Sequence, residues 1–157
     1  ISEEVRGLRR KAGLPGMAVL QFAFDGDSEN LYLPHNLEHD LVLYTGTHDN
    51  DTTSGWYASA SGEVRGNFRS YFNVDGSSPS WDMLRAAYRT TSPLVVVPAQ
   101  DLLSLGSDAR FNEPGHPFGN WKWRLSGEQL EDLGRSSSYL AEQGKLAGRL
   151  AKREVLA

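Results

Sequence analysis

The 157-residue chain contains no cysteine, which removes disulfide scaffolds, thiol nucleophiles and cysteine-ligated zinc and leans toward a cytoplasmic setting. It lacks a surplus of positive charge: 16 Lys and Arg against 20 Asp and Glu leave a net charge of -4, which disfavours a general nucleic-acid surface. No apolar run approaches the length of a membrane span or a signal-peptide core. No glycine-rich phosphate loop follows a strand-like run, and no serine sits in a nucleophile elbow, Ser80 and Ser126 reading better as helix caps. Repeats and low-complexity tracts are absent too. What is present is globular: 39% hydrophobic and 10% aromatic residues, enough for one domain to bury a core without disulfides or a structural metal.

Ser2-Glu3-Glu4 reads as a capped acidic first turn, and Val5, Leu8 and Ala12 keep helical spacing until Gly13-Leu14-Pro15-Gly16 ends the element. The chain opens with Ile1 in helix-like sequence, from which an upstream part of the protein is expected. Met17 to Phe24 is nearly continuously apolar, as in a strand covered on both faces. A second strand is expected at Leu41-Val42-Leu43-Tyr44 and a third at Leu94-Val95-Val96-Val97. Between them, Trp56 onward reads as a helix whose Val64, Phe68 and Phe72 share one face. Ser80 caps another, with Trp81, Leu84 and Tyr88 on one side. Ser126 and Gln129 match a capping box, followed by two helical pieces separated around Gly134 to Ser138.

Three strands alternating with helices imply parallel βα units with right-handed crossovers and a helix-covered sheet. They are too few for an eight-stranded barrel, which needs about 250 residues. The chain therefore holds either the last several units of a barrel or a small doubly wound sheet.

In either architecture ligands bind beyond the carboxyl ends of the strands. There Tyr44 runs straight into Thr45-Gly46-Thr47-His48-Asp49-Asn50-Asp51-Thr52-Thr53, a crowded polar turn with a histidine and two acids, so Asp49 is the first candidate for chemistry. The competing reading is that Asp49 and Asp51 only cap the next helix. Asn112 to Arg124 is a long turn-rich segment carrying Trp121 and Trp123. Indole faces stack on sugar C–H groups while Asn, Asp, His and Arg satisfy hydroxyls, so this loop fits carbohydrate recognition, unless the two tryptophans simply pin it to the core.

Two segments carry metal-like patterns. His35-Asn36-Leu37-Glu38-His39 matches a zinc motif that must lie on a helix, but Pro34 precedes it and a strand begins at about Leu41. Asp49-Asn50-Asp51 fails as a calcium loop, since its sixth and twelfth positions are Ser54 and Ala60 instead of Gly and an acid.

Taken in order, Gly13 to Met17, Val19 to Phe24, Leu33-Pro34-His35-Asn36, Tyr44 to Thr53 with Gly55-Trp56, and Ala109-Arg110 with Asn112, Pro114-Gly115 and Gly119 to Leu125 resemble the 4-alpha-glucanotransferases called amylomaltases or disproportionating enzymes. The resemblance implies an α/β fold, with residues 1–157 as the C-terminal portion of a (β/α)8 TIM barrel. The three strands would be its sixth, seventh and eighth, followed by C-terminal helices. Family members use an aspartate nucleophile after strand four and a glutamate acid/base after strand five, both upstream of Ile1, and Glu3 or Glu4 should not be promoted in their place.

The third family carboxylate matches Asp49, implied to stabilise the transition state, with His48, Asn112 and Asp25 lining sugar subsites. The implied reaction moves 1,4-alpha-glucan segments between maltooligosaccharides by retaining double displacement, inactive in this chain alone. No metal or organic cofactor, nucleic acid or membrane partner is implied; the partners are 1,4-alpha-glucans and the N-terminal part of the same barrel. Alternatives are a non-catalytic glucan-binding piece using Trp121, Trp123 and His48, or a zinc hydrolase using His35 and His39.

Overall fold

The computed structural model describes residues 2–150. In chain order the elements are α1 (Glu3–Lys11), β1 (Gly16–Val19), β2 (Leu41–Tyr44), α2 (Thr53–Ser59), α3 (Gly62–Phe72), α4 (Pro79–Tyr88), β3 (Leu94–Val96), α5 (Ala99–Leu102) and α6 (Gly127–Leu146), with 3-10 turns at Leu20–Phe22, Pro34–Asn36 and Ser107–Ala109. The strands form one parallel sheet in the order β1-β2-β3. Met17, Val42 and Leu94 lie level across it, as do Val19, Tyr44 and Val96.

Parallel strands laid down consecutively, with right-handed crossovers, put every connection on the same side of the sheet. Burial follows that rule. Ala18, Leu41 and Leu43 are buried with Phe68 of α3 and Met83 and Ala87 of α4. On the opposite face Met17 is 62% exposed, Leu94 53% and Val96 37%. The expectation of a sheet covered on both faces is therefore corrected among the described residues, and the strand order has none of the reversal that defines a doubly wound sheet.

An aromatic cluster fills the covered side. Phe68 is fully buried, with ring centroids 4.9 Å from Phe72 and 5.1 Å from Phe24, both edge to face. Trp56 and Tyr57 of α2 close it at 5.9 and 5.2 Å. Burying rings of this size contributes about 1.5–3 kcal/mol each.

Four sequence expectations need correction. The apolar run from Met17 to Phe24 leaves the sheet at Val19 and becomes a 3-10 turn, because the chain must cross the strand end to insert Phe24 among Trp56, Phe68 and Phe72. The helix expected from Trp56 is two: α2 starts at Thr53, capped by Thr52, and α3 is recapped by Ser61, whose hydroxyl accepts from Val64 N at 3.2 Å. Ser78, not Ser80, occupies the cap position of α4, since Pro79 suits the first helical position. Ser80 is instead buried, its hydroxyl 2.9 Å from that of Ser54. Finally, α6 is one unbroken helix. Its serines bond back along it, Ser136 Oγ to Asp132 O at 3.2 Å and Ser137 Oγ to Gly134 O at 2.6 Å, instead of breaking it. The capping box at Ser126 and Gln129 forms as read.

Candidate active site at the strand ends

Because the strands are parallel, the segments after β1, β2 and β3 emerge at one end of the sheet. The segment after β2 carries His48 and Asp49, and the segment after β3 comes back over it. Asn112 Nδ2 donates to Asp49 Oδ1 at 2.6 Å, and His48 Nε2 lies 3.2 Å from the same oxygen. Among the described residues no hydrogen bond engages Asp49 Oδ2, and the Asp49 and His48 side chains are each more than half exposed. The carboxylate is thus oriented through one oxygen and presents the other.

Arg110, to which no sequence pattern assigns a role, supports this arrangement from the backbone side. Its Nη2 donates to Asp49 O at 2.9 Å and its Nε to Asn112 O at 2.9 Å, so one planar guanidinium joins the two loops. Trp121 completes the group. It stands 51% exposed in a left-handed backbone conformation (φ 64°), its ring 5.3 Å from His48 and edge-to-face on Phe111 at 4.9 Å. Asn120 ties the loop beneath it, pairing with Glu113 N and with the Glu113 and His116 carbonyls at 2.8–3.2 Å. Trp121 therefore holds an open aromatic face beside His48, whereas Trp123 is half-buried.

The helix-cap reading of the acids does not hold. Thr52 is the cap of α2, its Oγ1 accepting from Gly55 N at 3.1 Å. Asp51 Oδ1 accepts from Thr52 N at 2.8 Å and Oδ2 from Ser107 Oγ at 2.6 Å, while Asp49 contacts no helix end. Gly46 is demanded by a close approach: a Cβ there would lie 2.5 Å from Gln21 Nε2, the atom that donates to Asp51 O at 2.9 Å.

Beneath the turn lies a residue that sequence reading passed over. Asp101 of α5 is 1% exposed and accepts from Thr45 Oγ1, Thr53 N and Thr53 Oγ1 at 2.6–2.7 Å. Burial pushes its carboxyl above the usual carboxylate range, and these three bonds offset that only in part. Its only sequence signal was an acid set in a leucine-rich segment just after a strand.

Asp25 is brought to the same end of the sheet but not into the cluster. Its Oδ1 accepts from Asp27 N at 3.0 Å and its Oδ2 from Asn30 Nδ2 at 2.9 Å, so both oxygens serve a local turn. The zinc pattern loses its helix. His35 sits in a single 3-10 turn, Leu37 after it is extended, and the His35 ring nitrogens are taken by Tyr71 Oη at 2.7 Å and Ser28 O at 3.2 Å. No group of three potential metal-binding side chains occurs among the described residues.

Residues 1–130 match the family described as 4-alpha-glucanotransferase. The chloroplastic/amyloplastic 4-alpha-glucanotransferase of Arabidopsis thaliana is 43% identical over 96% of this chain and 26% of its own length. The 4-alpha-glucanotransferase of Thermus thermophilus is 45% identical over 90% of this chain and 30% of its own. Among solved structures, amylomaltase from Streptococcus agalactiae in complex with acarbose superposes with a TM-score of 0.87 and 30% identity, over 96% of this chain and 30% of that one. The chain thus spans between 26% and 30% of the length of these relatives. On these matches, the chain belongs to the 4-alpha-glucanotransferase family.

Proposed function

We propose that the chain supplies the C-terminal units of a (β/α)8 barrel that transfers 1,4-alpha-glucan segments between maltooligosaccharides with retention, and that Asp49 stabilises the transition state. The observation that carries this reading is the Asp49 carboxylate, bonded on one oxygen by Asn112 with His48 Nε2 alongside and open on the other, beside the exposed Trp121 face. In retaining transfer a carboxylate attacks the anomeric carbon as the protonated glycosidic oxygen leaves. An acceptor hydroxyl then displaces that carboxylate, passing its proton to the residue that served as acid. Both of those groups belong, on this reading, to the preceding part of the barrel.

The residues present here act on the ring. Charge develops toward an oxocarbenium ion, and hydrogen bonds from ring hydroxyls to Asp49 Oδ2 strengthen as it does, which lowers the barrier instead of merely tightening binding. Trp121 offers a stacking face that orients the sugar and excludes water, favouring a glucan acceptor over hydrolysis.

The uncovered sheet face supports the barrel. Met17, Leu94 and Val96 present an apolar surface where a closed barrel has its packed interior. A cleft of about 430 Å³ runs along the free edge of β1, lined by Val5, Met17, Phe22 and Leu31, where a preceding strand and its loop would seat.

The test is disproportionation of maltotriose by the 157-residue chain alone and by the whole transferase that contains it. Glucose and longer maltooligosaccharides are expected only from the latter. Comparable turnover by the chain alone would refute the incomplete site. The exposure of Trp121 favours a second reading, glucan binding without catalysis; calorimetric titration of the chain with maltooligosaccharides, giving saturable heat lost on Trp121→Ala, would support it.

A further inference from the structure

The turn that carries His48 and Asp49 leaves the sheet at Thr45 and enters α2 at Thr53, and both ends converge on one buried side chain. Asp101, on the element after β3, accepts from Thr45 Oγ1 at 2.6 Å and from Thr53 N and Oγ1 at 2.7 Å each. These partners are 56 and 48 residues away in sequence. Thr45 and Thr53 are themselves fully buried. The three bonds therefore close the turn at its base, where water has no access.

We propose that Asp101 is a positioning residue for glucan transfer: by clamping Thr45 to Thr53 it sets where the tip of the turn holds Asp49 against the sugar. The inference deepens the proposed function and rests on it, since Asp49 must act on the ring for its placement to matter.

The remaining supports of the turn cannot do this alone. Asn50 Oδ1 bonds only within the turn, to Thr47 N and Oγ1 at 2.9 and 2.7 Å. Arg110 and Gln21 each hold a single carbonyl near its tip. Asn112 and Ser107 add side-chain bonds to Asp49 and Asp51, at 2.6 Å each; with the base released, these contacts still tether the tip to neighbouring segments but leave Thr45, at the root of the turn, with the long 3.4 Å bond from its N to Val96 O. A buried carboxylate carries a desolvation cost of several kcal/mol. An acid there is explained by its capacity: two oxygens accept three short bonds from two segments at once. A displacement of about 1 Å in a reacting geometry costs on the order of 10²-fold in rate.

The experiment uses the whole transferase containing this chain, assayed for maltotriose disproportionation, with variants Asp101→Ala, Asp101→Asn, Thr45→Val, Asp49→Asn and the pair Asp49→Asn with Asp101→Ala. An asparagine can accept from Thr53 N through its carbonyl and donate to the threonine hydroxyls, which reverse their roles. Expected are a kcat loss of about 10²-fold for Asp101→Ala with KM within about threefold, recovery to within about tenfold for Asp101→Asn, and about tenfold loss for Thr45→Val. In the Asp49→Asn background, Asp101→Ala should cost less than about threefold more, because the carboxylate whose placement matters is already gone.

If Asp101→Ala does not fold, Thr45→Val decides. Wild-type kcat in whichever of the two folds overturns the clamp, as does a loss equally large with and without Asp49, the mark of a merely structural acid. Wild-type activity in Asp49→Asn itself overturns the site reading, and the clamp with it. An inactive Asp49→Asn beside a fully active Asp101→Ala sinks the clamp alone.

Discussion

The same substitution, Gly to Ala, should have opposite signs at two helical positions of this chain. In α3, Gly66 lies in the helix interior and a Cβ there would meet nothing within 4 Å. Alanine removes the entropy that glycine loses on folding, so Gly66→Ala should stabilise by about 0.5–1 kcal/mol. In α2, Gly55 is buried, and a Cβ would lie 2.3 Å from Ser107 Oγ and 2.8 Å from both oxygens of Asp51. Ser107 can rotate away, but then the 2.6 Å bond from its hydroxyl to Asp51 is lost. A bond to a charged group contributes about 1.5–3 kcal/mol, and the residual overlap with the carboxylate about 1 kcal/mol more. Set against a helical gain of about 1 kcal/mol, the net is a loss of about 1.5–3 kcal/mol.

Urea titrations followed by tryptophan fluorescence, with the slope held common, measure both. Because Asp51 stands two residues from Asp49, Gly55→Ala should also lower transferase kcat, whereas Gly66→Ala should not. Stabilisation at both positions, or an unchanged kcat for Gly55→Ala, would refute the packing argument that links the first turn of α2 to the site.

Three further outcomes are expected. Burial raises the Asp101 carboxyl, so its contribution to stability is fully present below the unfolded value near 3.8 and is lost as pH rises through the folded value. Removing that titration with Asp101→Asn should therefore shift the stability difference progressively in the variant's favour as pH rises above the unfolded carboxylate value, and parallel pH profiles would contradict it. Phe68→Ala empties the centre of the aromatic cluster and should cost about 3–5 kcal/mol, read by chemical denaturation. The isolated chain should self-associate through its apolar sheet face and free strand edges, and Leu94→Lys should reduce this in sedimentation; a monomeric, highly thermostable wild type would argue against the barrel.

What the sequence disclosed follows from how local each signal is. Leu41 to Tyr44, bounded by polar residues, is a strand as read, and the Ser126–Gln129 box needs only three residues' spacing to declare itself. Leu20 to Phe24 departs from the expected strand because an apolar run reports burial, not backbone conformation; here burial comes from the aromatic cluster. The serine-rich centre of α6 stays helical because its hydroxyls find carbonyls one turn back.

At the site, the polar exit after Tyr44 points to Asp49 and the turn-rich loop to Trp121, whereas His48, Asn112 and Asp25 enter as sugar contacts only through the family resemblance. Asp101 and Arg110 stayed hidden, since each acts through contacts spanning about fifty residues or more. No spacing rule encodes a buried acid joining two threonines, and nothing local marks an arginine that holds a backbone carbonyl across the loop.

The most direct measurement is the kcat of Asp49→Asn in the whole transferase, with folding verified by circular dichroism. If its open oxygen holds the sugar as charge builds at the anomeric carbon, kcat for maltotriose should fall on the order of 10²–10³-fold with little change in KM. A kcat within about twofold of wild type would mean that this carboxylate does not act in the transfer.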